Sequence, residues 1–308
     1  MQKQIQQIMS QIEQVIKGKN DIIEKVLAAI IAQGHILLED IPGVGKTTLA
    51  LTISKTMSLD YHRVQFTPDV LPSDLLGFNM FNSETRQFEY REGSVFCNIF
   101  LADEINRTSP KTQSALLEVM EEGRVTVDGV TRALPKPFVV IATQNPFGSS
   151  GTQKLPESQL DRFMVRLSMG YPDHENAVNI LKGNVGDVLS ELTGFVTLED
   201  VRNMQETAKN IFVHNSVYDY IVRLTENTRN ENYFTFGLSP RASLSLLKMS
   251  RAVAYMEGSD YVLPEHVLHV FHEVAVHRLT LSAKAKAKGY TVDTALDEIA
   301  AATQLPKA

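Results

Sequence analysis

The run Leu37-Leu38-Glu39-Asp40-Ile41-Pro42-Gly43-Val44-Gly45-Lys46-Thr47-Thr48 constrains the fold more than any other part of the chain. It orders an apolar strand, a glycine loop, a lysine, a hydroxyl and a helix start. That order builds a cradle for a nucleotide polyphosphate. Gly43 and Gly45 let backbone N–H groups approach phosphate oxygens with no Cβ in the way. Lys46 is placed to reach the β- and γ-phosphates and Thr47 to ligate Mg²⁺. The following helix points its positive end at the same anion. Pro42, Val44 and Thr48 belong to the same loop and helix start. One position departs from the pattern G-x-x-x-x-G-K-[ST]: Asp40 stands where the first glycine belongs, as a polar turn former. A ligand-free glycine turn between strand and helix is the competing reading.

Downstream, four further short apolar segments join His35–Glu39: His62–Phe66, Asn98–Ala102, Phe138–Thr143 and Met164–Ser168. Their near-continuous hydrophobicity is that of strands buried on both faces of a parallel sheet. Helical segments lie between them, among them Lys46–Met57 and Thr112–Glu121. The βαβ alternation predicts a doubly wound α/β core over residues 1–171. Val125–Arg132 alternates around Asp128-Gly129 and reads as a hairpin, as does Phe78–Arg91 around Ser83-Glu84-Thr85. After Gly170-Tyr171-Pro172-Asp173 the strand pattern stops. Helices are predicted at Leu198–Asn210, Ser216–Thr228, Arg241–Glu257 and Pro264–Leu279, so residues 172–308 read as a mainly helical second domain.

A chain of 308 residues, 43% hydrophobic, is large enough for two such domains. Its net charge of −6 and its lack of tryptophan speak against a dedicated nucleic-acid binder. Ile5, Ile8, Met9, Ile12, Val15 and Ile16 recur at helical spacing near the N-terminus, with no signal-peptide apolar stretch. No apolar run approaches the ~18 residues of a membrane span. A soluble, cytoplasmic protein is expected. Cys97 reads as a buried small hydrophobe, and a lone cysteine excludes a disulfide within one chain. The run Lys284-Ala285-Lys286-Ala287-Lys288 reads as a solvated helix face.

Four further strings carry chemistry. Asn98-Ile99-Phe100-Leu101-Ala102-Asp103-Glu104 is an apolar strand ending in two acids, which at its carboxyl end face a ligand crevice. Asp103 would hold hydrated Mg²⁺ and Glu104 would polarise the attacking water; capping of the next helix is the alternative. Asn145, after the strand Phe138–Thr143, would hydrogen-bond the γ-phosphate or the water, or serve as an ordinary turn residue. Arg162, in Leu160-Asp161-Arg162-Phe163, is a candidate arginine finger, worth ~10³–10⁵ in rate, or one half of a surface ion pair. In Gly237-Leu238-Ser239-Pro240-Arg241-Ala242, Ser239 reads as N-cap and Pro240 as the first helical residue. A cation in that first turn needs an anionic partner, either a phosphate or a nearby Glu.

Together these motifs resemble the MoxR family of AAA+ ATPases. The resemblance rests on Phe66-Thr67-Pro68-Asp69-Val70-Leu71-Pro72-Ser73-Asp74, Leu101-Ala102-Asp103-Glu104-Ile105-Asn106-Arg107, Lys111-Thr112-Gln113-Ser114-Ala115-Leu116-Leu117-Glu118, Ala142-Thr143-Gln144-Asn145-Pro146, Leu155-Pro156-Glu157-Ser158-Gln159-Leu160-Asp161-Arg162-Phe163 and Ser239-Pro240-Arg241-Ala242. It implies a P-loop AAA+ parallel-sheet core with two hairpin insertions and a helical lid. It implies ATP or ADP with Mg²⁺, and hexameric rings with the nucleotide between subunits. Arg162 would then act in trans, and Arg241 in cis from the lid. Ile16 and Gly18 would pack near adenine, with Lys19 where the family typically has Gln. The hairpins would face the pore or the upper ring surface. Family members are thought to act as chaperones in maturing protein complexes, often with partners bearing a von Willebrand factor A domain. A nucleotide-dependent scaffold or switch with negligible turnover, and a DNA-associated motor, are the alternatives. Intact Glu104 and Arg162 favour hydrolysis.

Overall fold

The computed structural model describes residues 2–145, 155–181, 185–230 and 232–306. Pro146 of the Ala142–Pro146 string lies outside them. The central sheet is built from β1 (Ile36–Glu39), β2 (Tyr61–Gln65), β5 (Ile99–Asp103), β8 (Val139–Gln144) and β9 (Val165–Leu167). Its order is β2-β5-β8-β1-β9, and every pairing is parallel. The five strands lie where the apolar segments predict them. Alternation explains why they read as continuous runs. Ile36, Leu38, Ile99, Leu101, Val139 and Ile141 enter one hydrophobic cluster, and Leu37, Phe100, Ala102, Val140 and Ala142 enter another on the opposite face.

Helices α1 (Gln2–Val15), α2 (Asn20–Ile31) and α3 (Lys46–Thr56) share the first cluster. Helices α4 (Pro72–Leu76) and α5 (Pro110–Glu122) lie with the second. Two hairpins project from that side: β3–β4 (Gly77–Asn82 with Gln87–Glu92) and β6–β7 (Arg124–Val127 with Val130–Ala133). Asp128 and Gly129 both have positive φ (49° and 78°), as a two-residue hairpin turn requires. Asn79 donates to Asp128 at 2.6 Å and Arg132 lies 3.6 Å over the Tyr90 ring, so the hairpins brace one another. Cys97 is fully buried, and burial pushes its thiol up to about 12, which keeps it inert at neutral pH.

Past β9 the chain is helical: α6 (Glu157–Leu160) precedes that strand, and α7 (His174–Leu181), α8 (Val185–Glu191), α9 (Leu198–Lys209), α10 (Asn215–Asn227), α11 (Pro240–Glu257), α12 (Pro264–Ala275), α13 (Ala283–Ala287) and α14 (Val292–Ala302) follow it. The predicted Pro264–Leu279 helix ends early, at Ala275, and tightens into a 3₁₀ turn over Val276–Arg278. The Arg278 side chain is 3% exposed. It donates to the Asp161 carboxylate (2.7 Å) and to the carbonyls of Phe163 (2.6 Å) and Met164 (3.1 Å), which tightens the turn against the start of β9. The first cluster continues without a break from α2 into α9, α11 and α12. The helical half is therefore packed onto the sheet half through shared apolar side chains. Among the described residues, no helix is long and apolar enough to cross a membrane.

Candidate nucleotide site

The glycine loop takes the conformation its residues predict. Gly43 and Gly45 have φ of 85° and 93°, a region only glycine enters cheaply, and Gly45 caps α3. A Cβ on Gly43 would meet no atom within 4 Å, so the space above it is open for a ligand. Lys46 is 7% exposed and donates to the Asp40 carbonyl (2.6 Å) and Asn145 Oδ1 (3.3 Å). Burial holds its ammonium below the usual lysine range, with Asp40, Asp103, Glu104 and Glu39 pulling the other way. Asp40 has a task beyond turning the chain. Its buried carboxylate accepts from Ser168 Oγ (3.1 Å) and from the N–H groups of Met169 and Gly170, tethering the loop to the end of β9.

Asp103 and Glu104 stand at the carboxyl end of β5, beside Asn145 at the end of β8. Thr143 Oγ1 donates to Asp103 Oδ1 (2.6 Å) and accepts from Glu104 N–H (2.9 Å). Glu104 adopts φ 57°, a left-handed conformation rare for a non-glycine residue and often found at functional sites. Its carboxylate takes three donors: Asn145 Nδ2 (2.9 Å), Gln65 Nε2 (2.9 Å) and Arg107 Nη1 (2.7 Å). Asn145 thus links Lys46 to Glu104. Thr47 follows Lys46 in the first turn of α3. Among the described residues no group of three or more His, Cys, Asp or Glu side chains is arranged as a metal cage. A hydroxyl and one carboxylate beside a phosphate cradle are instead the hard-oxygen donors that suit Mg²⁺ bound largely by phosphate and water.

A cavity of about 290 Å³ opens beside the loop. Gly43, Val44, Gly45 and Thr48 form one wall, Val15, Ile16, Lys17 and Lys19 another, and Met169 and Ile180 close it. Ile16 is thus part of the cavity lining beside the loop. Gly18 serves the cavity indirectly. A Cβ there would come within 2.5 Å of Asn176, a residue of the lining. Lys19 donates to the Tyr171 carbonyl at 2.9 Å.

The arginines lie elsewhere. Arg162 Nε meets Glu121 Oε2 at 3.1 Å, and Arg241 meets the other oxygen of the same carboxylate. Glu121 follows Met120, whose carbonyl bonds His35 (2.9 Å), the residue before β1. The P-loop follows the other end of β1. Four residues of strand at ~3.3 Å each separate the two ends by roughly 13 Å. Glu121 and the Asp161–Ser239 contact (3.2 Å) hold Arg241 beside Arg162, toward the His35 end of β1. Ser239 does cap α11, accepting from Ala242 N–H at 3.2 Å. Arg63, Gln65 and Glu121 escape the sequence reading as site residues, and Arg107 enters it only as the end of the Leu101–Arg107 string, with no role. The only trace is that Arg63 and Gln65 alternate onto one face of the predicted His62–Phe66 strand.

Comparison with known proteins agrees with this geometry. Residues 35–165 match the ATPase family associated with various cellular activities (AAA), and residues 226–299 match the AAA lid domain. The chaperone MoxR1 of Mycobacterium tuberculosis is 36% identical over 98% of this chain and 82% of its own. This chain belongs to the MoxR family of AAA+ ATPases. The protein YeaC of Bacillus subtilis is 44% identical over 96% of this chain and 92% of its own. A crystal structure of a protein assigned as an ATPase from Cytophaga hutchinsonii superposes with a TM-score of 0.92 at 36% identity, covering 99% of this chain and 96% of that one. The family places this chain among AAA+ ATPases.

Proposed function

We propose that the protein hydrolyses MgATP at sites shared between subunits of a six-membered ring and uses the cycle to remodel partner complexes during their maturation. The observation that carries this reading is the separation within one chain of the phosphate cradle from Arg162 and Arg241. A finger that cannot reach its own nucleotide serves a neighbour's. Pro42 to Thr48 would hold the phosphates, Ile16 and the Gly18 turn the base, and Thr47 with Asp103 the Mg²⁺. Bound there, Mg²⁺ would neutralise charge on the phosphates. Glu104, released from its three donors, would orient and polarise water, with Asn145 relating it to Lys46. Arg162 and Arg241 would both leave Glu121 for the neighbour's γ-phosphate, so Arg241 acts in trans. We also propose a division near residue 171 between a nucleotide-binding core and a helical lid whose relative rotation does the mechanical work, a cytoplasmic setting, and a partner carrying a von Willebrand factor A domain.

The test is ATPase activity per subunit against protein concentration. Activity that rises with concentration, and an Arg162→Ala variant that binds nucleotide without turning it over, support the reading. Concentration-independent activity, unaffected by that substitution, refutes it.

A further inference from the structure

Arg63 lies outside every motif, yet it touches the metal-ligand candidate. Its Nη2 donates to Asp103 Oδ2 at 2.7 Å and to Gln65 Oε1 at 3.1 Å. Gln65 turns its amide nitrogen to Glu104 Oε2 at 2.9 Å. Register explains the assembly: in the parallel pair of β2 and β5, Gln65 stands opposite Asp103 and Arg63 opposite Leu101, so both polar side chains share the face that carries the Asp103 carboxylate. A single guanidinium nitrogen therefore directs one hydrogen to the metal-ligand carboxylate and one to the amide that restrains Glu104.

We propose that Arg63 is a positioning residue that acts as the stand-in cation of the site: it neutralises Asp103 in the absence of metal, yields that place when Mg²⁺ arrives with nucleotide, and in yielding loosens the hold of Gln65 on Glu104. The proposal rests on the nucleotide reading above. Two cations cannot share one carboxylate without repelling each other, and at this partly screened position the repulsion is modest but real. With Arg63 in place, Asp103 is compensated and nucleotide binds tolerably without metal. Without Arg63, the bare carboxylate repels a metal-free polyphosphate, while Mg²⁺ enters unopposed. Coordination of the metal and release of the water-polarising carboxylate thus become one event, which protects the site from turnover of metal-free nucleotide.

The experiment measures the Kd of a fluorescent MANT-ATP in EDTA and in saturating Mg²⁺, for wild type, Arg63→Gln and Arg63→Lys. Arg63 is half-exposed on an edge strand, so these replacements leave the core intact. The expected result is that the ratio of the EDTA value to the Mg²⁺ value rises at least threefold in Arg63→Gln. Lys, which restores the charge, returns the ratio to within about twofold of wild type. A substitution that weakens both values by the same factor would show Arg63 to be merely structural and would overturn the proposal. Absence of nucleotide binding in wild type itself would overturn the nucleotide reading, and this inference with it.

Discussion

Asp40 shows how much one residue can hide behind a motif. As a departure from the glycine pattern it reads as a turn former. In the fold it is a buried hub that accepts from Ser168, Met169 and Gly170. Asp40→Ala leaves those donors without a partner and should cost about 2–3 kcal/mol of stability, read as a lowered urea midpoint. Glu104→Gln should keep nucleotide binding and lose hydrolysis by roughly 10²–10⁴, measured as single-turnover rate. His35 supplies a pH signature. Val140 N–H donates to its Nδ1 and Nε2 donates to the Met120 carbonyl, so the ring is held neutral, and burial takes its pKa down to about 4. His277 is held well below the usual histidine range by burial and by Arg278. Both pKa values are depressed in the folded state. The unfolded chain therefore takes up protons first as pH falls below 6.5, and stability is lost from there toward 4. Urea midpoints at pH 7 and 5 should show that loss, and His35→Gln should make it shallower. Lys46, Thr47, Asp103, Glu104 and Asn145 were legible because each is defined by its neighbours in sequence. Gln65 and Arg107 were not, because what they bind is brought by another strand or by a tight turn.

At the scale of elements, periodicity told most of the story. The five sheet strands and the Asp128-Gly129 hairpin follow from apolar runs and turn chemistry. The end of α12 did not, because Arg278 decides it through contacts with residues more than a hundred positions earlier. Arg278 is the clamp between the helical half and the start of β9. Arg278→Met removes the buried cation and leaves the partly exposed Asp161 carboxylate with only the Ser239 hydroxyl, which should cost about 2–4 kcal/mol. Denaturant unfolding followed by circular dichroism checks this.

The molecule as a whole explains what sequence order could not. Ser239-Pro240-Arg241 announces a capped helix bearing a cation, but which edge of the sheet that helix reaches depends on how α11 packs across α2 and α9. The outcome puts both arginines on Glu121 and both away from the phosphate cradle. If the cradle and the arginines of one active site belong to different subunits, two dead variants can complement each other. The decisive measurement mixes Lys46→Ala subunits, which keep the arginines, with Arg162→Ala subunits, which keep the cradle, and assays ATP hydrolysis. In a randomly mixed ring roughly a quarter of the interfaces pair an intact cradle with an intact finger. The account predicts that the mixture regains activity on that order, while each variant alone stays inactive. A mixture as inactive as its components would contradict it.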